Sequence, residues 1–397
     1  MKTLTLLLAA ALLAQPSRAQ SSAADFELVY TYPIETTLEQ PALRAASTVW
    51  PQLFDSAKKT IDLAEFYFTP KAGESIAASF EALKKAGARG VKIRVLAEKK
   101  MERASQEGFE LLKAIPNLEL RVIEFAKIKS DGIQHAKYFV IDGRTAYVGS
   151  QNFDWRSLKH IHELGLRIAD AKLVAQIAAV FAQDWKAQAL AAQGKPVAEL
   201  NKLPPAASFK DTAYLVASPY AFNPPGVGDS QSELVRLIAS ADQSLEIQLL
   251  DYGPITRSPH RYYPPIDNAL RGAALRGVKV KLLVSHWNTE PPAVDHLKSL
   301  SLIPNIEVKI ATLPEAKDGY IPFSRVIHSK YMVVDGKAFW LGTSNWSGGY
   351  LDNSRNLELV VKDAALASKV QGVHAQLWGS EYAAPIDVAK DYPKPKR

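Results

Sequence analysis

Apolar positions change period along this chain in an order that occurs twice. The first pass opens on an apolar segment, TIDLAEFYF at 60–68, and runs into a stretch at 74–86 whose apolar residues recur at helical spacing. That stretch predicts an amphipathic helix ending at Gly87. A β-branched run follows, VKIRVLAE at 91–98, then IPNLELRVIE at 115–124, KYFVID with a turn at Asp142-Gly143, a last strand LGLRIAD, and a helix ending near Trp185. The second pass repeats this order: SLEIQLLDY at 244–252, a helix over 266–275 ending at Gly277, VKVKLLVS at 278–285 and IPNIEVKIAT at 303–312. KYMVVD with its turn at Asp335-Gly336, LELVVKD, and a helix ending near Trp378 complete it.

Strands alternating with helices predict an α/β fold with a mainly parallel sheet covered by helices. Two such units imply a duplication with a pseudo-twofold axis, and a Pro- and Ala-rich stretch at 191–208 reads as the linker. The expected division is a leader at 1–19, one domain at 20–190, the linker, and a second domain at 209–397.

Chemistry enters where the repeat is tightest. QHAKYFVIDGRTAYVGSQNFDW carries His135, Lys137, Asp142, Gly149, Ser150 and Asn152; IHSKYMVVDGKAFWLGTSNWSG carries His328, Lys330, Asp335, Gly342, Thr343 and Asn345. The offset is constant, since 328 − 135, 330 − 137 and 345 − 152 all give 193. On an extended strand, residues two apart share a face, so each lysine points with its histidine. If a C2-like axis passes between the motifs, both His-x-Lys strands meet at one site.

That equipment suits a phosphodiester. Lys137 and Lys330 can clamp the non-bridging oxygens, and the amides of Asn152 and Asn345 can donate to them. One histidine then attacks phosphorus and the other protonates the leaving oxygen, through a covalent phosphohistidine. Two lysines already supply the positive charge, so no metal and no cofactor is called for. Glu163, just before the LGLRI strand, is the candidate to orient a histidine. Asp142 and Asp335 belong to the motif, but each precedes a glycine and reads as a hairpin-turn residue. Ser150 and Thr343 are candidate substrate contacts. His260, Arg261, Tyr262 and Tyr263, in the inserted SPHRYYPP, combine cations and aromatics suited to bases and phosphates. His160, His162, His286, His296 and His374 lack repeated context and read as surface or packing residues.

Composition adds the setting. A formal charge of +7 over 397 residues mildly favours anionic partners. Lys2, the apolar run from Leu4 to Leu13 and the Ser17-Arg18-Ala19 site read as an export signal, so a periplasmic or secreted protein is expected. With no cysteine, disulfides, thiolate metal ligands and a lipid-modified N-terminal cysteine are excluded.

Both motif copies resemble the phospholipase D superfamily, whose signature is His-x-Lys with a downstream Asp and a Gly-Ser/Thr-x-Asn. GSQNFDWRSL, SPHRYYPPIDNALRGAALRGVKVKLLVSHW and GTSNWSGGY further resemble the branch of lysosomal phospholipase-D-like 5′-exonucleases. The resemblance implies a duplicated αβαβα sandwich and a two-step reaction, with His135 as nucleophile, His328 as general acid, and the two lysines and two asparagines on the phosphate. The chain departs from a symmetric pattern at Glu163, which aligns with Asn356 rather than Glu358. Single-stranded nucleic acid is the expected substrate. A phospholipase D or transphosphatidylase acting on membrane phospholipid is the alternative, and a non-catalytic binding protein the reading from another class. A monomer suffices for a complete site, and a dimer is possible.

Overall fold

The computed structural model describes residues 23–202, 211–256 and 259–397. The expected leader and residues 203–208 of the expected linker lie outside the described residues. Two sheets dominate, one of eight strands in the first half and one of nine in the second.

The first sheet is mixed rather than mainly parallel. Thr60–Glu65, Lys92–Glu98 and Leu118–Ile123 run parallel. Tyr138–Ile141, Thr145–Gly149, Glu163–Ile168 and Phe26–Thr31 are joined by antiparallel pairings. The second half repeats the pattern, with Ser244–Leu249, Lys279–Ser285 and Ile306–Ala311 parallel. Lys330–Val334, Ala338–Gly342, Asn356–Val361 and Ala213–Ser218 pair antiparallel there. The turns explain the difference. Asp142 and Gly143 have φ of 52° and 63°, and Asp335 and Gly336 repeat those values. Two consecutive positive-φ residues make a type I′ hairpin, which can join only antiparallel neighbours. The aspartate of each turn also accepts three backbone N–H bonds: Asp142 from Lys58, Lys59 and Thr60, and Asp335 from Asp242, Gln243 and Ser244. Partial burial opposes ionisation at both, but these donors hold both carboxyls below the usual range.

Period-two alternation divides each strand between two apolar layers. Tyr138 and Val140 face inward, while Phe139 and Ile141 face the outer helices Ala46–Ser56 and Ile76–Ala88. Ser230–Ser240, Pro264–Leu275 and Ala293–Ser301 cover the far face of the second sheet. Between the sheets lie Ala171–Ala192 and Ala364–Trp378, packed in one core with residues of both halves. The result is the five-layer αβαβα sandwich. Ala171–Ala192 runs two residues into the expected linker, and the first-half helix ends at Ala88, with Gly90 rather than Gly87 taking positive φ. Gly87 is needed for close approach instead, because a Cβ there would stand 2.2 Å from the Pro116 carbonyl oxygen.

The halves exchange backbone bonds at the mouth of each motif. The N–H groups of His135 and Ala136 donate to the Arg355 carbonyl, both at 2.9 Å. Those of His328 and Ser329 donate to the His162 carbonyl at 2.9 and 3.1 Å. Arg355 and His162 are themselves 193 residues apart, so the exchange obeys the duplication. Arg355 is fully buried, forks onto Asp184 with two 2.8 Å bonds, and also donates to Ser218, Phe222 and Asn223. Removing one partner strands a buried charge, so Arg355→Met should cost about 3–5 kcal/mol in denaturant unfolding followed by tryptophan fluorescence. An unchanged midpoint would show that the seam does not depend on this pair.

Candidate active site

Both motifs deliver their histidines to one cavity of about 400 Å3. His135, His328, Asn152 and Asn345 line it together with Phe66, Tyr67, Trp287, Phe323 and Tyr350. The close approach of strands that this needs rests on Gly149 and Gly342. A Cβ on Gly149 would meet Gln151 Oε1 at 2.5 Å, and one on Gly342 would meet Glu358 Cγ at 2.3 Å.

Each histidine is oriented by the opposite half. His328 Nδ1 lies 2.8 Å from Glu163 Oε2, and His135 Nδ1 lies 2.9 Å from Asn356 Oδ1. Ser150 donates to Glu163 at 2.5 Å, and Thr343 donates to Asn356 at 2.9 Å. Ser157 adds a 3.0 Å bond to the other Glu163 oxygen. Ser150 and Thr343 are therefore fully buried supports for the orienting groups, not surfaces offered to a substrate. Glu358 does not replace the missing second carboxylate: its oxygens bind Ser230 and Ser344, and burial pushes it up to about 7.

The electrostatics separate the two histidines. Burial, with the Lys137 and Lys330 charges behind it, holds His135 well below the usual histidine range. Asn356 carries no charge to counter this; with its carbonyl oxygen accepting from Nδ1–H, the Nε2 lone pair of His135 is free. Burial also lowers His328, but the Glu163 carboxylate opposes the shift. Although burial disfavours its charge, Glu163 stays below the usual glutamate range because His328 and Lys330 face it. A proton on His328 thus has a carboxylate to stabilise it, and a proton on His135 does not.

The lysines are buried as well. Lys137 donates to the His135 carbonyl oxygen and sits 5.1 Å from the Phe66 ring centroid. Burial and then the Lys330 charge hold it well below the ordinary lysine range, against the pull of Glu65 and Glu163. Lys330 is lowered by burial to about 7, and its ammonium has no hydrogen-bond partner among the described residues. A buried, unpaired cation is costly, and an anion between the lysines removes the cost.

Some residues at the site escaped sequence reasoning. Asp251 lines the cavity, accepts from Asn345 at 3.3 Å, and is raised by burial against the Lys330 charge. Glu65 is fully buried beside Lys137, and burial drives it well above the usual range. Glu65 ends the strand Thr60–Glu65 and Asp251 follows the strand Ser244–Leu249 by two residues; an acidic residue in an apolar run is the one signal that could have marked them. Arg355 and His162 had no motif to announce them; His162 is fully buried at the seam, 3.0 Å from Gln248. The inserted segment divides. His260 lines a second groove beside the cavity, whereas Tyr263 is a core residue bonded to Gln231. Tyr262 donates to Asp267 at 2.8 Å and stacks on His296. Arg261 gives its backbone N–H to Thr256. None of these three lines the catalytic cavity. Asp142 and Asp335 stay in their turns, away from it.

Comparison with known proteins agrees with the duplication. The family model "Cardiolipin synthase, PLD-like domain" matches residues 51–185 and again 234–378. The chain therefore belongs to the PLD-like family, with two copies of the domain, and is a phosphodiesterase of the phospholipase D superfamily. It is 33% identical over 413 residues to the 5′-3′ exonuclease PLD3 of Xenopus laevis, covering 90% of this chain and 81% of that one. It is 30% identical over 369 residues to the probable phospholipase D F09G2.8 of Caenorhabditis elegans, covering 85% of this chain and 66% of the worm protein's length. The fold matches the phosphatidylserine synthase of Haemophilus influenzae with a TM-score of 0.62 at 13% identity, over 92% of this chain and 88% of that one.

The Glu163–His328 contact has a pH signature. The Glu163 charge raises His328, so Glu163→Gln should move the alkaline limb of kcat/KM to lower pH. It should also cut kcat by roughly 100-fold or more. A pH–rate profile with an unmoved limb would remove Glu163 from this role.

Proposed function

We propose that this chain is an exported, metal-independent phosphodiesterase that removes nucleotides from the 5′ end of single-stranded nucleic acid through a covalent phosphohistidine. The observation that carries the mechanism is the unequal pair of orienting groups, Glu163 on His328 and Asn356 on His135. The domains proposed at 20–190 and 209–397 each supply one His-Lys-Asn set, so one chain holds the whole site.

The diester anion lies between Lys137 and Lys330, with the amides of Asn152 and Asn345 on its non-bridging oxygens. Nε2 of His135 attacks phosphorus, a P–N bond forms, and the P–O bond to the leaving alkoxide breaks. Nε2–H of His328 gives that oxygen its proton. Binding of the anion favours the protonated form of His328, and Glu163 stabilises it. Water then enters, gives a proton to His328 and attacks phosphorus, and the P–N bond breaks.

Three things support nucleic acid as the substrate. Aromatic rings of Phe66, Tyr67, Trp287, Phe323 and Tyr350 surround the phosphate site, as base stacking requires. Of the large exposed apolar side chains among the described residues, only Phe323 lines the cavity, so no broad apolar rim for a lipid surface surrounds it. Relatives over most of the chain bear the name 5′-3′ exonuclease.

A substrate panel tests the reading. Single-stranded oligonucleotides with 5′-hydroxyl and 5′-phosphate ends, and phosphatidylcholine vesicles, are offered with and without EDTA. Stepwise shortening from the 5′ end that persists in EDTA is expected. Headgroup release without oligonucleotide cleavage would establish the phospholipase alternative, and complete loss in EDTA would sink the metal-free mechanism. His135→Ala and His328→Ala should each reduce oligonucleotide turnover by roughly 10⁴-fold. Retained turnover in either would contradict the assigned roles.

A further inference from the structure

A second groove, of about 320 Å3, opens beside the catalytic cavity and shares a wall with it. Asp251, Trp287 and Tyr350 line both. Tyr350 turns its ring edge-on to His135 with centroids 4.9 Å apart, so the shared wall begins at a reacting imidazole. Trp287 stands at the junction, with Phe323 edge-on at 6.4 Å and the Arg397 guanidinium 5.6 Å from its ring centroid. Arg397 is kept there by a 3.2 Å bond to Glu290. The far wall carries His260 of the inserted segment, with Thr256, Asn288 and Ser347.

We propose that this groove is a subsite for the nucleotide that follows the scissile phosphate, with Trp287 as the stacking surface between the two positions. The inference rests on the nuclease reading above. A substrate that continues beyond the cleaved bond must leave the cavity by a route continuous with it, and this groove is continuous through three residues. Its lining suits one nucleotide: the Trp287 indole for a base, the Ser347 hydroxyl for the sugar, and His260 and Arg397 for the next phosphate. The insertion that sets the second half apart from the first thus gains a task. It supplies His260 to the extended substrate, while its tyrosines anchor the segment to the helix Pro264–Leu275 and its surroundings.

The test compares a nucleoside 3′-(4-nitrophenyl) phosphodiester, which carries a single ring and no sugar or further phosphate beyond the scissile bond, with a series from dinucleotide to hexanucleotide. The wild-type kcat/KM should rise as the chain grows past the scissile bond. Ala293 lines only the groove, at the start of the helix Ala293–Ser301, and contributes no side-chain bond. Ala293→Trp fills the groove and should lower the ratio of hexanucleotide to nitrophenyl activity by roughly tenfold or more, the scale of one stacked base. Arg397→Ala, which leaves the groove open, should lower the same ratio and flatten its dependence on salt. A wild-type ratio in both variants, an equal fall on both substrates, or no length dependence in the wild type would overturn the subsite. Cleavage of the nitrophenyl diester with no oligonucleotide cleaved at any length would instead overturn the nuclease reading on which it rests.

Discussion

The exchange of orienting groups across the seam is the constraint on which the site depends. Neither half completes its own histidine. Glu163 of the first half reaches His328 of the second, and Asn356 of the second reaches His135 of the first. The backbone does the same, with Arg355 and His162 accepting from the residues that lead into the opposite motif. A duplicated fold thereby becomes a single catalytic unit, since separating the halves would remove both the orienting group and the approach path of each histidine. The two inner helices packed in one core with both sheets hold that geometry in place.

Duplication supplies the parts in pairs, and chemistry needs them unequal. The protein keeps the hydroxyl supports equivalent, Ser150 with Thr343, and changes the group they hold. A carboxylate stabilises an imidazolium; an amide oxygen fixes a tautomer without adding charge. On the proposed mechanism, that exchange of carboxylate for amide divides acid from nucleophile. The buried acids Glu65 and Asp251 break the symmetry a second time, each beside the lysine of its own half. Each opposes the lowering that burial imposes on that lysine.

Much of this was legible in the sequence because the repeat placed side chains by period. His135 with Lys137 and His328 with Lys330 share strand faces by simple alternation, and the constant offset brought both pairs to one axis. The parallel strands and outer helices were readable from their apolar spacing for the same reason. Partnership across the seam was not readable, because nothing in local spacing says that Glu163 will serve the distant histidine. Ser150 and Thr343 looked like substrate contacts for that reason, although each is consumed by an orienting group. The first strands, Phe26–Thr31 and Ala213–Ser218, were missed because each pairs with the last strand of its half rather than with a neighbour in sequence. Tyr263 was misplaced because a tyrosine in a Pro-rich insertion gives no sign of which way it points; here its ring enters the core.

The division of labour between the histidines is tested most directly by mapping the covalent intermediate. A diester with a nitrophenolate leaving group needs no proton from a general acid, so His328→Ala should still be phosphorylated and should then stall, lacking a base for water. Acid-free quench and peptide mass spectrometry should find the phosphorus on His135, still esterified to the nucleoside. Phosphorylation of His328 in the His135→Ala protein, with none on His135 in the His328→Ala protein, would contradict the assignment and reverse the roles that Asn356 and Glu163 confer.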